Sequence, residues 1–226
     1  MSRYARQGLI DQATLAAASV LVVGVGALGC ASLPYLVGAG IGRVGLVDPD
    51  RVELSNLHRQ PLYTETDVGR LKVDVASERL RALNSQIYLE AYPTYFEPTH
   101  ATAYDLILDG TDNQAARYAI DDTGKPWIYA ALRQWMGQVA LFYTSRYRQL
   151  FPEKNDQLGC LSVLGPLPGL LGAIQALEAI QFLAGVSNRI DKLLIINALC
   201  WRTQEVSLPS GQSVSPTPKS GNSGKD

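Results

Sequence analysis

A run of glycines between two apolar segments constrains the fold of this 226-residue chain more than any other feature. Ser19–Val25 is apolar and rich in β-branched residues, GVGALG follows at Gly24–Gly29, and a second apolar segment, Arg43–Asp48, comes after a helical pattern. Continuous apolar strands of this kind are typical of a parallel sheet that is covered on both faces. The sequence therefore predicts a β-α-β unit in which the glycines form the tight turn from strand to helix.

The rest of the chain alternates strands and helices in the same way. Helical periodicity spans Lys72–Leu83, Asn113–Ile120 and Leu170–Leu183, whereas Arg146–Gly159 has the composition of a long polar loop. The further predicted strands are Gln86–Tyr92, Asp105–Asp109, Pro126–Ala131, Gln138–Tyr143, Lys192–Asn197 and Trp201–Leu208. We therefore expect an α/β fold with a Rossmann-like, mostly parallel doubly wound sheet and an additional antiparallel C-terminal strand pair.

Length and composition favour a single domain at residues 1–208, followed by a polar tail at 209–226 that we expect to be disordered. With 20 Lys and Arg against 21 Asp and Glu, the net charge argues against a nucleic-acid or anionic-membrane partner. Three cysteines without a Cys-x-x-Cys pair favour a reducing, cytoplasmic location. The first residues, MSRYARQGLI, contain no apolar stretch, so we expect no secretory signal. Gln175, Glu178 and Gln181 at helical spacing indicate an amphipathic helix rather than a membrane span.

The glycine loop points to a nucleotide. Gly24 and Gly26 would let the backbone approach a phosphate, and the N-terminus of the following helix would supply free N–H groups. Asp48 ends the next strand, where a carboxylate can accept hydrogen bonds from ribose hydroxyls. The alternative is a glycine turn that serves only the packing of helix on sheet, and the loop alone does not separate NAD from ATP.

Charged residues after the second strand favour ATP. Arg59, in the segment PDRVELSNLHRQ, and Lys72, at the start of the next helix, lie at the carboxyl edge of the predicted sheet and suit a triphosphate. Asp112, in the segment TDN, is a hard oxygen ligand at the same edge and suits Mg²⁺ bridging phosphates. A dehydrogenase would need none of these, and the sequence offers no candidate histidine for its hydride-side acid or base.

Six motifs in order make the chain resemble the ThiF/MoeB/HesA adenylyltransferases, the bacterial relatives of ubiquitin-activating enzymes. The motifs are RYARQ, GVGALGC, VDPDRVELSNLHRQ, VGRLK, LDGTDN and GPLPGLLGAIQALEAIQFLAG. The resemblance implies a homodimeric, ATP- and Mg²⁺-dependent enzyme. It would join the C-terminal glycine carboxylate of a small ubiquitin-like sulfur-carrier protein ending in Gly-Gly to the α-phosphate and release pyrophosphate, for thiamine, molybdopterin or related sulfur insertion.

The same resemblance implies roles for individual residues. Asp48 would bind the ribose, Asp112 would bind magnesium, and Arg6 would reach into the neighbouring subunit's site. Fixed cations around the α-phosphorus would stabilise the developing charge, and no general base is needed because a carboxylate is already ionised at neutral pH. The residues predicted to bind ATP or to act in catalysis are Arg6, Gly24, Gly26, Ala27, Asp48, Asp50, Ser55, Asn56, Arg59, Lys72, Asp112 and Asn113.

The chain departs from the family in its cysteines. RYRQ at Arg146–Gln149 stands where many relatives have the first Cys-x-x-Cys pair of a structural zinc site, and the second pair is missing, so we expect no zinc. Cys160 lies near the place of a cysteine that carries sulfur in some relatives, two residues closer to Pro166 than expected. A role in sulfur transfer and a buried structural thiol both stay open for Cys160.

Two other functions stay open beside the leading one. One is a relative that adenylates a peptide or the threonylcarbamoyl group on tRNA, and the other is a partner subunit that has lost turnover. The near-neutral charge disfavours tRNA, and the joint presence of the predicted binding residues disfavours an inactive subunit. Among the remaining residues, we expect Glu178 on a solvated face, Cys30 and Cys200 in the core, and Trp127 and Trp135 in packing roles.

Overall fold

The computed structural model describes residues 3–152 and 162–209. In these ranges eight strands form one sheet in the order β3-β2-β1-β4-β5-β6-β7-β8. The strands are β1 (Ser19–Val23), β2 (Arg43–Val47), β3 (Tyr88–Tyr92), β4 (Leu106–Asp109), β5 (Trp127–Arg133), β6 (Met136–Phe142), β7 (Lys192–Asn197) and β8 (Arg202–Ser207). The first five are parallel, and β6, β7 and β8 are each antiparallel to the strand before. The predicted α/β fold is confirmed, with three antiparallel strands in its C-terminal extension.

The helices follow the predicted pattern, with three main differences. They are α1 (Gln12–Ala17), α2 (Ala27–Ala39), α3 (Lys72–Leu83), α4 (Gln114–Asp122), α5 (Tyr147–Leu150) and α6 (Pro166–Leu183). The short helix α1 was not predicted, and α6 begins at Pro166 instead of Leu170, because proline suits the first turn of a helix. The predicted loop Arg146–Gly159 begins with α5, whose Tyr147 is buried among aromatic rings. The remainder of that loop from residue 153, and the tail from residue 210, lie outside the described residues.

Helices cover both faces of the sheet because the central strands are apolar throughout. All five residues of β1 are buried. Val20 and Val22 pack in the core cluster with α2, α3 and α6, whereas Leu21 and Val23 pack in a second cluster with α4 and α5. The carboxyl ends of the parallel strands therefore meet at one edge, between two helical layers.

Gln175 and Glu178 of α6 are buried, so the prediction of a solvated face is wrong for these two residues. Gln175 Nε2 donates to the backbone oxygens of Asp109, at 2.8 Å, and Ile128, at 3.2 Å. Glu178 forms a buried ion pair with Arg189, and burial raises the pKa of this carboxyl against the opposing charge of Arg189. By length and composition alone α6 could cross a membrane, but it packs against α2, β4, β5 and β6 as a core helix.

Trp135, expected in a packing role, and Cys200, expected in the core, both lie at the tips of hairpins. Trp135, between β5 and β6, is 45% exposed, and Cys200, between β7 and β8, is exposed as well. The antiparallel strands turn at the sheet edge, so these tips have no second layer to pack against. Trp127 and Cys30 are buried as predicted, and burial raises the pKa of the Cys30 thiol to about 12.

Candidate nucleotide site at the carboxyl edge of the sheet

The glycines of the first loop have different surroundings. Gly24 has a φ of +91°, and a Cβ there would lie 2.7 Å from the carbonyl carbon and oxygen of Gly110. A Cβ at Gly29 would lie 2.2 Å from the carbonyl oxygen of Gly24. At Gly26 the nearest atom is Gln60 Nε2, at an ordinary 3.7 Å. Packing within the chain thus explains why Gly24 and Gly29 are glycines. It does not require a glycine at Gly26, where a ligand that approaches the backbone would.

Helix α2 begins directly after this loop. Gly26 is its N-cap and Ala27 its first residue, and no side chain caps the helix. The N–H groups of the first turn therefore point out of the carboxyl edge without a side-chain acceptor. A 13-residue helix in this orientation provides an anion site through these groups and its dipole.

Asp48 is held against the glycine loop from two sides. Its Oδ2 accepts from Val25 N at 2.7 Å, and its Oδ1 accepts from Asp50 N at 2.8 Å. The side chain is buried, and burial raises the pKa of this carboxyl while the positive charge of Lys72 opposes the rise. Each carboxylate oxygen can accept more than one hydrogen bond, so a ribose hydroxyl is compatible with this arrangement.

Lys72 lies beside this carboxylate, at the first position of α3. Lys72 is only 5% exposed, and its Nζ donates to Asp50 Oδ2 at 2.8 Å. Asp50 in turn is 63% exposed at its side chain. The structure therefore brings Lys72, Asp48 and Asp50 together at the glycine loop, as the sequence predicts.

The loop at residues 54–60 carries the next group of predicted residues. Asn56 is buried and its Oδ1 accepts from Glu53 N, whereas Ser55 is exposed. Arg59 Nη1 donates to Ser55 O at 2.9 Å, and a cavity of about 240 Å³ opens beside Arg59 at the start of α6. Gln60 is a residue to which the sequence analysis gave no role. Its Oε1 is buried without a hydrogen-bond partner, beneath Gly26.

Asp112 and Asn113 follow β4 at the same edge, and both are exposed. Backbone contact between Gly110 and Gly24 places their loop against the glycine loop. Asn113 Oδ1 accepts from Ala116 N at 2.7 Å and caps α4, whereas Asp112 has no hydrogen bond or ion pair in the part of the chain that is described. The described residues contain no cluster of three or more potential metal ligands, so magnesium at Asp112 stays a prediction.

Beneath this loop lies a buried ion pair that the sequence analysis missed. Asp109 Oδ2 accepts from Arg117 Nε at 2.8 Å. Arg117 lies four residues after Asn113, the N-cap of α4, which is about one helical turn. Its side chain therefore lies on the same face as the start of the helix, next to the end of β4. Such a spacing is common, and no sequence signal marks the pair.

Arg6 lies far from the site of its own chain. The ring of Tyr4 packs on Gly40, and Gln7 Nε2 donates to Ala39 O at 2.7 Å, so the N-terminal segment is attached to the C-terminal end of α2. The length of α2 separates that end from the glycine loop by roughly 20 Å. Arg6 itself is exposed, and its role in a neighbouring subunit stays a prediction. Cys160 lies outside the described residues.

Comparison with known proteins agrees with this geometry. The family model of the ThiF family matches residues 2–215. The chain is 41% identical over 227 residues to a sulfur carrier protein adenylyltransferase of Thermus thermophilus, covering 88% of this chain and 84% of that protein. It is 42% identical to the adenylyltransferase and sulfurtransferase MOCS3 of Culex quinquefasciatus, but spans only 50% of that protein's length.

Solved structures share the fold at lower sequence identity. A crystal structure of E. coli MccB with AMPCPP and MccA superposes with a TM-score of 0.83 at 21% identity, covering 93% of this chain and 73% of that one. At this identity the likeness supports the fold alone.

Proposed function

Because the chain belongs to the ThiF family, we propose that it is an ATP-dependent adenylyltransferase that activates a small ubiquitin-like sulfur-carrier protein. The observation that carries the proposal is the convergence of Gly26, Asp48 and Lys72 at one sheet edge, beside the loop of Asp112. The relative that is 41% identical, and of which the chain covers 84%, is named for this activity.

In this proposal each part of the site has a distinct task. The start of α2 receives phosphate oxygens, Lys72 and Arg59 neutralise their charge, and Asp48 accepts from the ribose. The terminal glycine carboxylate of the carrier attacks the α-phosphorus, and the bond from that phosphorus to the bridging oxygen breaks, so that pyrophosphate leaves with the electron pair. No proton has to move, because the nucleophile is already an anion.

Asp112 fits the task of a magnesium ligand. Its carboxylate is exposed at the carboxyl edge, with no partner among the described residues, and carboxylate oxygens are donors that Mg²⁺ accepts. Magnesium, when bound, supplies positive charge to the phosphates. Asp112 would hold that charge in place next to the glycine loop.

A homodimer would complete the site. Arg6 cannot serve its own chain from the far end of α2, so its predicted contact requires a second copy. We extend the proposal to a carrier that ends in Gly-Gly and to a cytoplasmic enzyme without zinc. A sulfur-transfer role for Cys160 remains open within it.

ATP–pyrophosphate exchange with candidate carriers tests the function. We expect exchange with a small ubiquitin-like protein that ends in Gly-Gly and none with the same protein lacking its last glycine. Exchange with a short peptide instead would favour the non-carrier alternative. No exchange with any substrate, together with intact ATP binding, would indicate a subunit that has lost turnover.

A further inference from the structure

The buried ion pair of Asp109 and Arg117 lies directly beneath the Asp112 loop. Asp109 has no exposed surface, and the Arg117 side chain is 12% exposed. Burial opposes the charge of Arg117, but the Asp109 carboxylate outweighs it and raises the pKa of Arg117. A buried ion pair is costly to desolvate and is weak evidence for stability, so its presence at this edge calls for another reason.

The pair fixes every polar group of Thr111. Asp109 Oδ1 accepts from Thr111 N at 2.9 Å and from Thr111 Oγ1 at 2.6 Å. Arg117 Nη2 donates to Thr111 O at 2.9 Å and to Ala130 O at 3.2 Å. The Arg117 guanidinium therefore joins this loop to strand β5 as well as to the end of β4.

Asp112 is consequently held by its neighbours and not by its own contacts. Thr111 before it is fixed by the ion pair, and Asn113 after it caps α4. Gly110, at the base of the loop, packs directly on the backbone of Gly24. A shift of the ion pair would therefore move Asp112 relative to the glycine loop.

We propose that Arg117 and Asp109 are positioning residues that set the Asp112 carboxylate against the glycine loop. The inference rests on the proposed function, since it assigns the pair a task in the same site. Arg117 touches no substrate and acts through Asp112. A displacement of about 1 Å at a reacting centre can lower the rate roughly a hundredfold. Holding Asp112 in place therefore gives a functional reason for the desolvation cost of the buried ion pair.

Two variants disturb the support without touching Asp112. Arg117→Lys keeps a positive charge but loses the planar fork that spans Asp109, Thr111 and Ala130. Thr111→Val removes only the hydroxyl bond to Asp109, and Thr111→Ser restores it. The matched control is Arg189→Lys, which weakens the buried pair with Glu178 at the opposite edge of the sheet, where β7 begins.

The measurement is a double-mutant cycle with Asp112→Asn. The readouts are the exchange rate and, by calorimetry, the affinity for ATP with Mg²⁺ and with excess chelator. We expect Arg117→Lys and Thr111→Val to lower the exchange rate by roughly tenfold or more and to reduce the gain in ATP affinity that Mg²⁺ provides. In the Asp112→Asn background the same changes should have less than about a twofold effect, because the residue through which they act is already gone.

Several results would overturn the inference. One is that Arg117→Lys and Thr111→Val lower the exchange rate equally in the wild-type and in the Asp112→Asn background. Another is that Arg189→Lys lowers the exchange rate as much as Arg117→Lys does at a matched change in melting temperature. If Arg117→Lys does not fold, Thr111→Val against Thr111→Ser decides the question alone. Should the wild-type protein show no exchange, the proposed function fails, while the cycle on Mg·ATP affinity still tests the positioning.

Discussion

Substituting alanine at Gly24 and at Gly26 separates the two explanations of the glycine loop. At Gly24 a positive φ costs an L residue about 1–2 kcal/mol, and a Cβ 2.7 Å from the Gly110 backbone adds about 1–3 kcal/mol of overpacking. Together these lower the free energy of unfolding by roughly 2–5 kcal/mol. For a chain of this size that is a fall of roughly 4–20 °C in Tm.

Gly26→Ala should leave the fold almost unchanged. Its φ of −82° is accessible to alanine, and the nearest atom to the new Cβ is 3.7 Å away. The reduced freedom of the unfolded chain favours alanine by about 0.4–1 kcal/mol and offsets the strain of the ψ of −146°. We therefore expect a Tm within about 4 °C of the wild type. The methyl group would nevertheless stand where a phosphate approaches the backbone, so the Kd for Mg·ATP should rise at least about tenfold.

Calorimetry and thermal unfolding of three variants check this reasoning. Gly38→Ala is the control, since no atom lies within 4 Å of a Cβ there and the residue is on the same helix. It should bind Mg·ATP as the wild type does. Normal Mg·ATP affinity in Gly26→Ala would refute the argument, because the glycine turn would then serve helix packing alone.

Three further predictions concern the chemistry and the assembly. Asp112→Ala should reduce carrier-dependent exchange about a hundredfold, because it removes the proposed metal ligand, whereas Cys160→Ala should leave exchange nearly intact and could still abolish downstream sulfur transfer. Equal loss of exchange in both, with the Cys160 variant folded and dimeric, would show that the cysteine shapes the adenylation site. Mixing Arg6→Ala with Asp112→Ala protein should restore exchange in heterodimers that contain one intact site; no restoration, despite demonstrated subunit exchange, would count against the contact between subunits. Metal analysis of purified protein should find far less than one zinc per chain, since RYRQ supplies no thiolate, and stoichiometric zinc would contradict that expectation.

The sequence predicts the parts of this molecule that depend on local chemistry. Gly24 and Asp48 each directly follow an apolar strand that the sequence predicts. Because the carboxyl ends of parallel strands meet at one edge of the sheet, the sequence also predicts that the two residues lie close together. Lys72 is found for the same reason, because it opens the helix that follows the loop. The six motifs in a fixed order then distinguish an adenylyltransferase from the other nucleotide-binding proteins that could have such a site.

Features that depend on packing are not visible in the sequence. Gln175 and Glu178 have the spacing of a solvated helix face, yet both are buried. Gln175 donates to the Asp109 carbonyl at the end of β4, and Glu178 pairs with Arg189 in the loop that follows α6. Cys200 is exposed because a hairpin tip has no neighbouring layer. Polar residues in a helix can be satisfied by water or by distant groups, and periodicity alone does not distinguish the two.

The isolation of Asp112 has an evolutionary consequence. Because this side chain is exposed and makes no contact in the described ranges, its replacement would cost the fold almost nothing. Loss of Asp109 or Arg117, in contrast, would leave an uncompensated buried charge. Selection for folding therefore preserves the frame of the loop but not the carboxylate that it presents. Under the proposed function, one surface substitution at Asp112 would therefore abolish adenylation and still leave a folded subunit.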